Sequence, residues 1–265
     1  MNWIGISNEN DFYSQHYLAE IFQGDVRQVQ EQWQAKETAA REQAITEQDK
    51  QNAWRTPWAR INQHARELLH LQQSLGAQSQ REHLHQGREI LQSLLTTLGY
   101  RFQPRAQYIE HQQTFVPLLA ELTDNQGNPL LWVLEAQSLN PDTDTDPLAL
   151  HIHQRQLENL KDYDIELHKK RDENWQKLLS SSVFSQPHPP RWVILASPYQ
   201  WLLLDRTKYA QNRLLRFNWQ ELLSRRETDT LKAVSILLHK ESLEESSGQS
   251  LLDTLDENAH KHAYE

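Results

Sequence analysis

The chain has no cysteine, which excludes a disulfide scaffold and any thiolate metal site. Glycine is scarce, with seven among 265 residues and no G-x-G cluster, so a glycine-rich cofactor loop is absent. No apolar run approaches the roughly 20 residues of a membrane-spanning helix. The N-terminus also lacks a basic segment followed by an apolar one. Neither a membrane partner nor export is expected, and cytoplasmic residence is. Hydrophobic residues make up only 37% and mean hydropathy is −0.81; the shortage falls in the first eighty residues and the last twenty-five. Acidic residues outnumber basic ones by 36 to 27, a net charge of −9. That balance argues against indiscriminate coating of DNA and leaves phosphate contacts to a local basic face.

What is present centres on residues 115–137, FVPLLAELTDNQGNPLLWVLEAQ. Two apolar runs, Phe115 to Leu122 and Leu130 to Leu134, flank the turn formers Asp124-Asn125-Gln126-Gly127-Asn128, which predicts a β-hairpin. Near-continuous apolar character predicts strands covered on both faces, at the centre of a sheet. The second strand ends on Glu135-Ala136-Gln137. Residues two apart on a strand share a face, so Glu135 and Gln137 enter one site. With the turn centred near Gln126, Glu135 falls opposite Pro117 or Leu118, and Glu121 lies four residues along, on the order of 13 Å away.

Upstream the pattern is helical. Asn8 or Asn10 can cap an amphipathic run from Phe12 to Phe22. Residues 26–53, with sparse apolar positions, predict a long, mostly solvated helix leaning on a partner surface. Pro57 opens a helix with an apolar face, and another runs from about Arg81 to Leu98 and stops at Gly99. Residues 100–109 predict a first, irregular strand. The aspartates at 142, 144 and 146 alternate but are bracketed by prolines without the glycine and glutamate of a calcium loop, and predict a solvated loop. Residues 157–179 are helix-compatible; RWVILAS, QWLLLDR and RLLRFNW then predict three strands, followed by a helix capped by Asn218. Arg206, Lys208, Arg213 and Arg216 form the candidate DNA-binding face. The result is an α+β expectation: a helical region at 1–80, a mixed-sheet domain at 81–240, and an acidic tail or linker at 241–265.

The hairpin layout resembles the PD-(D/E)xK nuclease core. There a Pro-Asp opens one strand, the next ends in Glu-x-Lys, and the carboxylates hold a divalent cation that activates water. The resemblance implies an α/β nuclease-like core with Glu135 as metal ligand, Gln137 at the lysine position, and Glu89 on the preceding helix as a third site residue. An active site of this type would take Mg²⁺. Here Pro117 is followed by Leu118, and Gln137 replaces lysine, so the chemistry is expected to be impaired.

Four patches together resemble the N-terminal region of Eco57I-type restriction–modification proteins, which fuse a nuclease-like domain to an adenine-specific DNA methyltransferase. They are Gly5 to Tyr13 with His16-Tyr17-Leu18, Leu131 to Gln137, Leu203 to Lys208, and Glu257 to Ala263. The methyltransferase signature Asn-Pro-Pro-Tyr is absent. The resemblance therefore places S-adenosylmethionine in a part beyond Glu265, and the final LLDTLDENAHKHAYE reads as a cut through a larger protein. Three functions stay open: a degenerate nuclease-like domain that binds DNA weakly and without sequence preference and scaffolds methyltransferase or helicase-like partners in phage defence; an active metal-dependent endonuclease whose missing acid is Glu121, Glu110 or Asp142; and a protein-interaction module without DNA contact.

Overall fold

The computed structural model describes residues 3–140 and 145–263. Seven strands form one mixed sheet: β1 (Ile6–Glu9), β2 (Arg105–Ile109), β3 (Thr114–Thr123), β4 (Pro129–Glu135), β5 (Trp192–Ala196), β6 (Gln200–Asp205) and β7 (Leu214–Asn218). Their order is β1-β7-β6-β5-β4-β3-β2, with β4 and β5 parallel and every other neighbour antiparallel. The one parallel pair requires a crossover, and residues 136–191 supply it. The helices are α1 (Phe22–Gln43), α2 (Glu47–Asn52), α3 (Pro57–Ser74), α4 (Gln80–Thr97), α5 (Gln154–Leu157), α6 (Trp175–Leu178), α7 (Arg206–Tyr209), α8 (Trp219–Arg225), α9 (Thr228–Leu238), α10 (Lys240–Leu243) and α11 (Leu251–His262).

Alternation along the central strands splits their apolar side chains between two cores. Leu131, Val133, Trp192, Ile194, Trp201 and Leu203 face the layer of α1, α3, α4, α8, α9 and α11. Trp132, Leu134, Val193, Leu195, Leu202 and Leu204 face the crossover, where α6 contributes Trp175 and Leu178. A strand covered on both faces has no polar side, which is why these read as unbroken apolar runs. The hairpin closes as its turn chemistry requires: Asp124 Oδ1 accepts from the amides of Gln126 and Asn128, both at 2.9 Å, and Gly127 takes φ +80°.

Several expectations need correction. Residues 6–9 are an edge strand instead of a helix approach, and Asn8 clasps the turn behind it, bonding Tyr13 O at 2.7 Å and Tyr13 N at 3.2 Å. The helix predicted over 26–53 breaks at 44–46. Its apolar stripe finds its partner within the chain, Trp33 packing on Trp58 and His239. Residues 157–179 are largely irregular, with helix only at their ends. The region read as a tail docks as α11, burying Leu252, Leu255 and Ala259. The main core draws on residues from Trp3 to Ala259. Among the described residues no helix is long and apolar enough to cross a membrane.

His239, between α9 and α10, joins three elements. Its ring lies 4.8 Å from that of Trp33, and its Nδ1 accepts the Glu241 amide at 3.1 Å. Gly99, at φ +89°, leaves room for it: a Cβ there would meet His239 Cε1 at 2.9 Å. Burial, reinforced by Lys240, Lys36 and Arg60 and opposed by Glu241, pushes His239 down from 6.5 to about 4. Between these values the unfolded chain binds the extra proton, so stability falls as pH drops from about 6.5 to about 4 and levels off below. The contribution is at most on the order of 3 kcal/mol. Denaturation of wild type and His239→Gln across this window should show the wild-type advantage shrinking towards acid pH; parallel curves would exclude His239 as the cause.

Candidate functional site

Glu135 ends β4 on the α4 side of the sheet and is fully buried. Leu118 pairs with Leu134, so Glu135 lies one position further, level with Pro117, as the hairpin register predicts. The partner strand therefore offers no carboxylate there. A bulge follows between Leu118 and Ala120, and it pairs Glu121 with Trp132. That places Glu121 on the sheet face opposite Glu135, where it binds Arg105 at 2.9 Å. The bulge thus moves Glu121 off the site's face instead of towards it. Glu110 is exposed on the short turn after β2. Asp142 and Asp144 lie outside the described residues, and Asp146 pairs with Arg216.

The counter-charge to Glu135 comes from α4. Arg88 forms a bidentate pair, Nε to Oε2 at 2.8 Å and Nη2 to Oε1 at 2.9 Å, and Nη2 also reaches Gln156 O at 2.6 Å. Gln137 Nε2 donates to Oε2 at 3.2 Å, and Gln156 Nε2 to Oε1 at 3.3 Å and to the Glu135 carbonyl at 3.0 Å. The carboxylate is saturated by protein donors. Glu89, expected to face the site, is instead exposed and pairs with His85 at 3.5 Å. The sequence reading missed Arg88, although Leu84, Arg88, Leu91 and Leu95 occupy one helical stripe, and a cation within that apolar face is the sign that could have picked out the inward residue.

A divalent cation does not fit this arrangement. Both Glu135 oxygens are engaged, no second carboxylate faces them, and a guanidinium stands against them. Among the described residues, no group of three or more His, Asp or Glu could hold a metal ion.

Gly87 explains how Gln137 reaches its place. A Cβ at 87 would meet Gln137 Oε1 at 2.3 Å, so the bare backbone is what lets the amide lie against the helix. Gln137 is fully buried, its Nε2 also donates to Leu84 O at 3.3 Å, and its Oε1 has no hydrogen-bond partner. Reversing the amide would set oxygen against the Glu135 carboxylate.

The stretch expected to bind DNA is divided. Lys208 is buried, its ammonium on Asp256, on Phe12 O at 2.8 Å and over the Phe12 ring at 4.1 Å. Arg216 is held by Glu9 at 3.2 Å and Asp146 at 3.1 Å. Both cations are thus engaged by carboxylates of the chain itself. Arg206 is exposed and Arg213 half-buried, and neither has an ion-pair partner among the described residues. His151 pairs with Asp172 at 3.5 Å. No family model matches the chain, and no curated protein or solved structure matches it.

Helix propensity alone would make Gly87→Ala stabilising by about 1 kcal/mol. Because the new methyl collides with a buried, bonded amide, the substitution should instead destabilise by on the order of 1–3 kcal/mol. In a Gln137→Ala background it should become neutral or stabilising. Chemical denaturation of the four proteins in this cycle checks the coupling; equal effects in both backgrounds would dissociate Gly87 from Gln137.

Proposed function

We propose that this chain is a nuclease-like domain that binds DNA without cutting it and serves as a scaffold for a methyltransferase or helicase-like partner in restriction–modification. The observation that carries this reading is Arg88 on Glu135. In the nuclease scheme that carboxylate anchors a cation which activates water. A guanidinium supplies charge to the same oxygens, but it has no open coordination position and does not release a proton near neutral pH. Gln137 adds a hydrogen bond and no charge. The site residues are thus Glu135, Gln137 and Arg88 in a structural role, with Arg206 and Arg213 remaining as exposed or half-exposed cations on the stretch first expected to meet DNA. Mg²⁺ has no part in this reading, and S-adenosylmethionine would belong to the partner region.

The test incubates supercoiled plasmid with wild type, Glu135→Ala and Arg88→Ala in Mg²⁺ and in Mn²⁺. No protein should nick above background. Arg88→Ala should also lose roughly 3–5 kcal/mol of stability, because it leaves a buried carboxylate unpaired. Metal-dependent nicking by the wild type that disappears in Glu135→Ala would overturn the reading in favour of an active endonuclease. A labelled duplex titrated at low and moderate salt tests the binding half; no association at low salt would remove it.

A further inference from the structure

On the outer side of Arg88 a cleft of about 570 Å³ opens between α4 and the α5 region. Arg81, His85 and Arg88 enter it from α4, at successive turns of one helix face, and Arg155 enters from α5. Most cations that support this fold are already matched: Arg105 by Glu121, Arg191 by Asp205 and Asp253, Lys208 by Asp256, Arg216 by Glu9 and Asp146. Arg81 and Arg155 are exposed and have no ion-pair partner among the described residues. Arg88 differs again. Its bonds to Glu135 and Gln156 engage Nε and Nη2 and fix the guanidinium plane, leaving it 20% exposed at the cleft. Among the described residues, Glu158 is the one carboxylate that lines the cleft, and His85 shares Glu89 at the rim.

We infer that this cleft is a phosphate-ester site, held by Arg81, Arg88 and Arg155 and needing no metal. Arg81 and Arg155 can bind phosphate through paired N–H donors, while Arg88, whose Nε and Nη2 are taken by Glu135 and Gln156, offers Nη1 from a group already fixed in orientation, which loses less freedom on binding. The volume admits a phosphate with both ester substituents, so a nucleic-acid backbone fits as well as a free phosphorylated molecule. For the backbone source, the inference rests on the DNA-binding reading proposed above and moves the contact from residues 206–216 to the opening beside Arg88.

The experiment uses the full chain and two double variants, Arg81→Ala/Arg155→Ala and Arg206→Ala/Arg213→Ala. Arg88 is left intact because it supports Glu135. A labelled 20-base-pair duplex is titrated by fluorescence anisotropy over a salt series, and inorganic pyrophosphate is added in thermal-shift measurements. The first variant should lose about tenfold or more in duplex affinity, and the slope of log affinity against log salt should fall by about 2, one unit per lost phosphate contact. The second variant should change by less than about twofold. Pyrophosphate should raise the melting temperature of wild type and of Arg206→Ala/Arg213→Ala, and leave that of Arg81→Ala/Arg155→Ala unmoved. Duplex binding unchanged in the Arg81/Arg155 variant overturns the site while leaving the DNA-binding reading standing. A pyrophosphate shift confined to proteins with intact Arg81 and Arg155, with no duplex binding by any of them, retains the site as one for a small phosphate ester and removes the DNA reading. No response to either ligand that depends on Arg81 and Arg155 refutes the inference outright.

Discussion

A fully buried carboxylate at the end of a central strand has to be answered by the protein around it, and the Arg88–Glu135 pair is that answer. Moving a single charge out of water costs several kcal/mol, and only a close, well-oriented partner with further hydrogen bonds offsets it. The fold meets each requirement from a different element. Helix α4 contributes the guanidinium, the crossover contributes Gln156, and β4 contributes Gln137 two residues on. The pair therefore fixes three things together: the rotation of α4, the exit of the chain from β4, and the start of the crossover to β5. Gly87 belongs to the same constraint, since the helix can lie against Gln137 only where it has no side chain.

Elsewhere in the same helical layer, ion pairs attach the C-terminal helix. Arg191 bridges Asp205 on β6 and Asp253 on α11, both at 2.9 Å, and Lys208 joins α7 to Asp256 and to the turn holding Phe12. Burial opposes the charge on Asp205, but hydrogen bonds and charge from Arg191, with Thr207 assisting, outweigh it and leave the carboxyl below its ordinary value. Asn258 extends the attachment by bonding Asp25 at 3.0 Å, an oxygen that Tyr17 also reaches at 2.9 Å. Three of the sequence patches that carry the restriction–modification resemblance, around Asn8–Tyr17, Leu203–Lys208 and Glu257–Ala263, thus meet in one region. In this chain their residues hold α11 and the N-terminal turn to the sheet.

Much of the central architecture was legible because its causes are local. Alternation, turn chemistry around Gly127 and unbroken apolar runs define β3 to β6, and the turn position alone narrowed the position opposite Glu135 to Pro117 or Leu118. What the sequence concealed depends on long-range partners. Nothing near Ile6 signals an edge strand, because its ladder partner is β7, over two hundred residues away. The bulge that sends Glu121 to the far face leaves no mark beyond an ordinary apolar run. The last helix looked like a tail because its stripe, Leu252, Leu255 and Ala259, is narrow, and its acidic residues acquire meaning only beside Arg191 and Lys208. Arg88 was the one concealed feature with a local sign, a cation in register with Leu84, Leu91 and Leu95.

The distribution of cations connects the Glu135 site to the proposed binding cleft. In an acidic chain, most arginines and lysines that pack against the sheet find a carboxylate, and each pair so formed is lost to external phosphates. Arg88 is paired too, yet it differs from Arg191 and Lys208 in what lies beyond it. Behind Arg191 and Lys208 stands another element of the same chain, α11, whereas beyond Arg88 is an open cleft with two unmatched guanidinium groups. A buried carboxylate that would hold a metal in a nuclease instead orients an arginine towards solvent. On the proposed reading, the geometry that leaves no room for a metal also presents a positioned donor to a phosphate, so that absence of cleavage and binding of a phosphate backbone would be two consequences of one side chain.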